Sequence, residues 1–283
     1  MIIGVNTWVW TAPLTTASLE KIAPRIAEMG FKHIEIPFED PSLLDIPACK
    51  VILDKAGFKS VSAAAVIGSD RDLIDPDPAV RANGLAYVKK SIDDAAILGA
   101  RNLVGPFYSS VGRTWQQSPS EREADIRLLV SVLTELADYA EKKGIFLGLE
   151  PLNRFETSFI NTAQQAVEVI DRVGNPHLGI MLDTFHMNIE EDSMGDAVRL
   201  VGPRLVQVHS NENNRGTPGL GHIPWSEVAH ALKEIHFDGV MVIESFTSEV
   251  KEIARAAAIW RPLAKSQDDL AKGGLAFLSE LMR

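Results

Sequence analysis

Cysteine is nearly missing from this chain, with Cys49 the only one among 283 residues. An intrachain disulfide and a cysteine-built metal cluster are both excluded, and a reducing compartment, the cytoplasm, is expected. Long apolar runs are missing as well. No stretch approaches the roughly 20 residues needed to span a bilayer, and Met1 to Trp10 has no basic start of the kind a leader carries. Positive charge is in deficit: 28 Lys and Arg stand against 38 Asp and Glu, a formal net charge of −10 without any basic run. Nucleic acid and membrane surfaces are therefore not expected as partners. No G-x-G-x-x-G or P-loop appears, so the common nucleotide sites of open α/β sheets are absent. No Pro/Ser-rich linker or composition shift divides the chain, which reads as one domain over residues 1–283.

What is present is 46% hydrophobic residues arranged in a repeating pattern. Short β-rich runs fall at Ile2–Asn6, His33–Ile36, Ser60–Ala64, Asn102–Gly105, Phe146–Glu150, Leu178–Asp183, Leu205–His209 and Val240–Glu244. Longer stretches with helical spacing lie between them, among them Ser18–Met29, Pro78–Leu98, Pro119–Lys143, Thr162–Val173 and Trp225–Ile235. Gly30, Gly57, Gly99, Gly144, Gly174 and Gly239 each stand where a helix should stop before the next strand. Eight such βα units in about 250 residues is the size at which a parallel sheet closes on itself. The expected fold is α/β, a single (β/α)8 barrel with an extra C-terminal helix at Ser266–Met282.

A polar residue that closes an apolar barrel strand is placed at the mouth where such barrels carry chemistry. Four consecutive strands end that way, at Glu150, Asp183, His209 and Glu244. Three carboxylates converging without compensation repel one another and are driven to protonate. A divalent cation resolves the conflict. Three carboxylates and one imidazole form a hard, oxygen-rich set that suits manganese, magnesium or cobalt better than zinc. Singly, each residue reads as an ordinary structural hydrogen-bonding group; four in register do not. Nearby, His186, Arg215 and Glu156 are expected on loops at the same face, where they could hydrogen-bond a polyhydroxylated ligand, and Trp8, Trp10, Trp115 and Phe246 are candidates for the apolar end of the pocket.

The segments Glu150-Pro-Leu-Asn-Arg-Phe-Glu156, Asp183-Thr-Phe-His186, Asn213-Asn-Arg215-Gly-Thr-Pro-Gly219 and Ile243-Glu244-Ser-Phe246 resemble those of the ketose 3-epimerases, the D-tagatose/D-allulose 3-epimerase group of xylose-isomerase-like TIM barrels. The resemblance runs over essentially the whole chain. It implies that Glu150, Asp183, His209 and Glu244 hold one divalent metal ion, Mn2+ first among the candidates, and that Glu150 and Glu244 double as the acid/base pair. By the same resemblance His186, Arg215 and Glu156 contact the carbonyl end of a free sugar, and the protein forms a homo-oligomer, a dimer or tetramer. A metal held at the ketose oxygens acidifies the carbon-3 proton and stabilises the enediolate left behind. Aldose–ketose isomerisation, and elimination or decarboxylation of a 3-keto sugar or sugar acid, begin with the same chemistry and stay open as alternatives. An abasic-site endonuclease on the same barrel needs more histidines and a less acidic surface, and a noncatalytic sugar-binding barrel needs no metal-bound base.

Overall fold

The computed structural model describes residues 1–283, the side chain of Glu252 excepted. Eight strands run in chain order around a closed barrel: β1 (Ile2–Asn6), β2 (His33–Pro37), β3 (Ser60–Ala64), β4 (Asn102–Gly105), β5 (Phe146–Leu149), β6 (Leu178–Asp183), β7 (Leu205–His209) and β8 (Val240–Ile243). Every pairing is parallel, and β1 pairs with β8 from Ile2↔Val240 to Val5↔Ile243 to close the cylinder. Parallel neighbours require crossovers, and helices supply them. They are α1 (Thr16–Glu28), α2 (Ile46–Ala56), α3 (Pro78–Leu98), α4 (Pro119–Lys143), α5 (Ala163–Val173), α6 (Thr184–Glu190), α7 (Met194–Val201), α8 (Trp225–Glu234), α9 (Lys251–Ala256) and α10 (Gln267–Leu281). None of them is long and apolar enough to cross a membrane.

Local chemistry sets the ends of these helices. Ser118 caps α4 by accepting from Glu121 N while Glu121 reaches back to Ser118 N, a reciprocal arrangement that satisfies two otherwise orphaned donors. Gly57, Gly99, Gly144 and Gly174 end their helices in the left-handed conformation, as the sequence pattern predicts. Gly239 differs. The positive φ after α8 belongs to His236, at 54°, and Gly239 is small for another reason: a Cβ there would lie 2.5 Å from Phe237 Cζ.

The C-terminal helix expected from the sequence is α10, and it fits between α8 and the start of the chain. Its Asp268 accepts from Trp10 Nε1 at 2.9 Å and pairs with Arg25 of α1. The short helices α6 and α9 are additions to the βα repeat, inserted after β6 and β8 at the mouth.

Between barrel and helices lies a continuous apolar core that includes Ile34, Ile36, Leu103, Leu147 and Ile180, all fully buried. Side chains alternate along a strand, so the residues between them point inward. There the barrel holds a charge. Glu35 of β2 is wholly buried and accepts from Asn6, Ser62, Gln207 and His209. Four donors match the four lone-pair positions of a carboxylate, which is what makes such burial tolerable when an unpaired charge costs several kcal/mol.

Candidate metal centre

Glu150 directly follows β5, Asp183 ends β6, His209 ends β7 and Glu244 directly follows β8. All four are at least nine-tenths buried at one end of the barrel. One ligand atom from each of Asp183, His209 and Glu244 can be chosen with all three within 4.8 Å of one another, and the same holds for Glu150, Asp183 and His186. His209 Nδ1 lies 3.4 Å from Glu244 Oε1. His186 Nε2 lies 3.5 Å from Glu150 Oε1 and 3.6 Å from Asp183 Oδ2. The strand-end residues thus fall into two groups that share Asp183, one with His209 and Glu244 and the other with Glu150 and His186.

The two histidines differ in which nitrogen is available. His209 Nε2 faces Glu35 Oε1 at 2.8 Å. Glu35 is held at a pKa of about 2, because His209, Ser62 and Asn6 outweigh the effect of burial. An ionised carboxylate only accepts, so Nε2 of His209 carries a proton and Nδ1 is the nitrogen that can give up its own to bind a cation. With no ion beside it, burial is outweighed by Glu35 and Glu244, which hold His209 well above its ordinary pKa of 6.5. That Nδ1 is buried without a hydrogen-bond partner and faces Glu244. His186 is the reverse. Its Nδ1 receives Asn153 N–H at 3.1 Å and the Asn153 side chain at 2.9 Å, which puts the proton on Nε2, toward Glu150 and Asp183. His209 is therefore built as a ligand and His186 as a donor. Burial, followed by Arg215 and His209, keeps His186 neutral.

Supporting groups fix the carboxylates. Asn211 Nδ2 spans both oxygens of Asp183 at 2.9 Å, while its Oδ1 accepts Glu244 N–H at 2.7 Å. Phe185 N–H donates to Asp183 Oδ1 at 2.7 Å. Arg215, at φ 62° in the loop after β7, lays its guanidinium 4.1 Å from the centre of the Phe185 ring and 5.2 Å from that of Phe246. From there Nη1 donates to Asp183 Oδ2 at 2.8 Å and to Glu244 Oε2. The donor set fits a small divalent cation: three carboxylates, one imidazole nitrogen with no hydrogen-bond partner, and outer partners that orient Asp183, His209 and Glu244.

Environment splits the two glutamates. Burial, reinforced by Glu244 and Asp183, pushes the Glu150 carboxyl well above its usual range against the pull of His209 and Arg215. Burial acts on Glu244 too, but His209 and Arg215 outweigh it and hold this carboxyl low. Asp183 is raised, burial and Glu244 prevailing over Arg215 and His209.

A cavity of about 370 Å³ opens on this cluster, with Glu150, Glu156, His186, Arg215, Glu244 and Phe246 on its wall. Trp8 joins them, its ring centre 5.6 Å from that of Phe246. Glu156 is raised by burial against Arg215 and takes a 2.8 Å hydrogen bond from Asn153. His186 stands in the first turn of α6, not on a loop. Trp115 is placed elsewhere: it is half exposed, stacked on Arg113 at 4.5 Å, and lines separate depressions. Trp10 is likewise turned away, bonded to Asp268. The sequence reading passed over Glu35, Asn153 and Asn211. For Glu35 a signal existed, a lone charge in the apolar strand His33-Ile-Glu-Ile-Pro37.

Comparison with known proteins agrees with this architecture. The L-ribulose 3-epimerase of Methylomonas sp. (strain DH-1) is 33% identical over 279 residues, 98% of this chain and 96% of that protein. The D-psicose 3-epimerase of Agrobacterium fabrum is 34% identical over 260 residues, covering 89% of this chain and 90% of its own. The crystal structure of D-allulose 3-epimerase from Methylomonas sp. superposes with a TM-score of 0.93 at 33% identity, over 99% of this chain and 98% of that one. A family model described as xylose isomerase-like TIM barrel matches residues 23–280, and the chain belongs to that family.

Proposed function

We propose that this protein is a metal-dependent isomerase that inverts carbon 3 of a free ketose. The observation that carries the reading is the pair of buried triads, Asp183–His209–Glu244 and Glu150–Asp183–His186, joined through Asp183, with His209 Nδ1 without a hydrogen-bond partner and facing Glu244. The similarity to L-ribulose and D-psicose 3-epimerases along nearly the whole chain supports it. Glu150, Asp183, His209 and Glu244 would hold one divalent ion, Mn2+ first among those that suit an oxygen-rich set, and such an ion would supply Lewis-acid stabilisation of the negative charge that develops on the ketose.

The chain's own residues do the proton work. Glu150 and Glu244 come from non-adjacent strands and approach the cavity from different sides. One takes the carbon-3 proton and the other returns a proton to the opposite face, which inverts the centre. Which of the two takes the proton depends on the configuration at carbon 3, and for the opposite epimer the roles exchange. The Nε2–H of His186 and the guanidinium of Arg215 face the oxygen that gains charge, and both are fixed before substrate arrives, by Asn153 and by the Phe185 and Phe246 rings. Trp8 and Phe246 keep water from the reacting carbon.

The test is product identification after incubating the metal-stripped and Mn2+-restored protein with D-fructose, D-allulose, D-tagatose and L-ribulose. A carbon-3 epimer from at least one of them, dependent on restored metal, is the expected result. Conversion only to an aldose assigns aldose–ketose isomerisation instead, and no product from any of the four rejects the reading.

A further inference from the structure

Three polar groups on the cavity wall handle no proton in the chemistry above, although the Trp8 ring helps exclude water. Trp8 follows β1, Glu39 follows β2 and Arg71 lies in the segment after β3, and all three line the same cavity as Glu150 and Glu244. Because the strands run in order around a closed barrel, the ends of β1 to β3 stand across the mouth from those of β5 to β7. Trp8 borders the cluster, its ring against Phe246 two residues after Glu244, and Glu39 and Arg71 lie farther round the mouth.

Each is held in place yet incompletely used by the protein. Trp8 Nε1 is buried without a hydrogen-bond partner, and Arg71 Nε is buried with only an ion-pair contact to Asp70 Oδ1. Glu39 takes Leu14 N–H on Oε2 at 3.1 Å, and Trp8 Nε1 faces the same carboxylate without closing a bond to it. The Arg71 guanidinium lies 4.3 Å from the centre of the Tyr87 ring, and the Tyr87 hydroxyl donates to Phe38 O, next to Glu39. Only the exposed Asp70 pairs with Arg71, at 3.4 Å. The Arg71 backbone is fixed as well: its N–H donates to Gly68 O at 3.0 Å, and its carbonyl rests against Gly84 of α3. Buried donors without partners are rare in folded proteins, and each asks for an explanation.

We propose that Trp8, Glu39 and Arg71 form a subsite for the hydroxyl-bearing terminus of the ketose, the end remote from carbons 2 and 3. The proposal rests on the ketose reading above. Two N–H donors beside one carboxylate acceptor suit a group that both donates and accepts, which an alcohol does and a deoxy carbon does not. Charge selects a neutral terminus. The Arg71 guanidinium is already paired with Asp70 and Glu39 lines the same wall, so a phosphate there would meet Glu39 with little uncommitted positive charge in support. Val66, Ile67 and Ala257 line the same cavity and offer the carbon chain an apolar wall.

The Mn2+-loaded full chain is titrated calorimetrically with D-fructose, 6-deoxy-D-fructose and D-fructose 6-phosphate, and turnover of the first two is followed in parallel. D-Fructose should bind at least about tenfold more tightly than its 6-deoxy analogue, since a site built for a hydroxyl rejects the compound lacking it. That ratio should fall toward one in Arg71→Met and in part in Trp8→Phe, which keeps the ring and its packing. Equal binding of the two sugars, a ratio unchanged in both variants, or tighter binding of the phosphate overturns the subsite. A ratio that collapses only in the variants, without turnover of either sugar, sinks the epimerase reading and leaves the subsite standing. Turnover with equal binding does the opposite.

Discussion

Replacing Glu35 by Gln leaves a group of the same size opposite His209 Nε2 but removes the charge that fixes where the imidazole proton resides. The freed Nδ1 would then share that proton part of the time and bind a cation less well. Mn2+ affinity of Glu35→Gln is expected to fall about 10- to 100-fold, the usual consequence of removing the outer partner of a ligating histidine. Calorimetric titration with Mn2+ measures it, and an unchanged affinity would mean that the Glu35–His209 contact is structural only. A second substitution tests ligation and proton transfer together. Glu244→Gln removes the carboxylate that His209 and Arg215 hold ionised, and loss of an acid/base group costs about 10²–10⁴ in rate. Turnover on the best ketose should drop at least that far, and a variant retaining full turnover would remove Glu244 from the chemistry. Not all such residues could be read from one chain. Glu150, Asp183, His209 and Glu244 were legible because each closes an apolar run. Asn211 and Asn153 were not, since what marks them is the set of groups they bridge, and Asn211 reaches Asp183 from 28 residues away.

At the scale of the element, Gly84 sets two effects against each other. It lies inside α3, where Ala is better than Gly by up to about 1 kcal/mol. A Cβ at this position would, however, fall 2.1 Å from the Arg71 carbonyl oxygen, a backbone atom that cannot swing aside. The clash should win, because forcing packed backbone apart costs about 1–3 kcal/mol. Gly84→Ala is expected to lower stability in urea unfolding, and a more stable variant would show that the segment after β3 yields easily. The elements themselves were largely visible in the sequence: the eight strands fall within one residue of their expected ends. Period-2 and apolar runs of that kind survive any tertiary context in a barrel buried on both faces. The short helices α6 and α9 were less legible, because they belong to no βα repeat. His186 consequently sits on a helix where a loop was expected. Trp115 illustrates a different limit: a tryptophan near a strand end gives no sign of which side of the mouth wall it will take, and here it stacks on Arg113 outside the cavity.

For the molecule as a whole, a polar thread through the barrel couples stability to pH. His33 is held between Ser60 and Ser62, and Ser62 donates to Glu35. Burial depresses the His33 pKa to about 4 from an ordinary 6.5, Glu35 opposing and His209 assisting. The neutral imidazole is the native form, so the unfolded chain binds the extra proton first. Its contribution is complete above pH 6.5 and is lost as pH falls toward 4, at most roughly 3 kcal/mol by linkage. Urea midpoints measured across this window should fall more steeply for the parent than for His33→Gln; parallel slopes would show that other groups govern acid sensitivity. The same thread ends at His209 and so joins the barrel interior to the cluster at its mouth. The most direct test of the central claim is the number of Mn2+ ions that the metal-stripped protein binds, read by calorimetry or electron paramagnetic resonance. One ion per chain, with binding lost in Asp183→Asn and in His209→Ala, is the predicted result. No binding, or binding that both substitutions leave intact, would contradict the account.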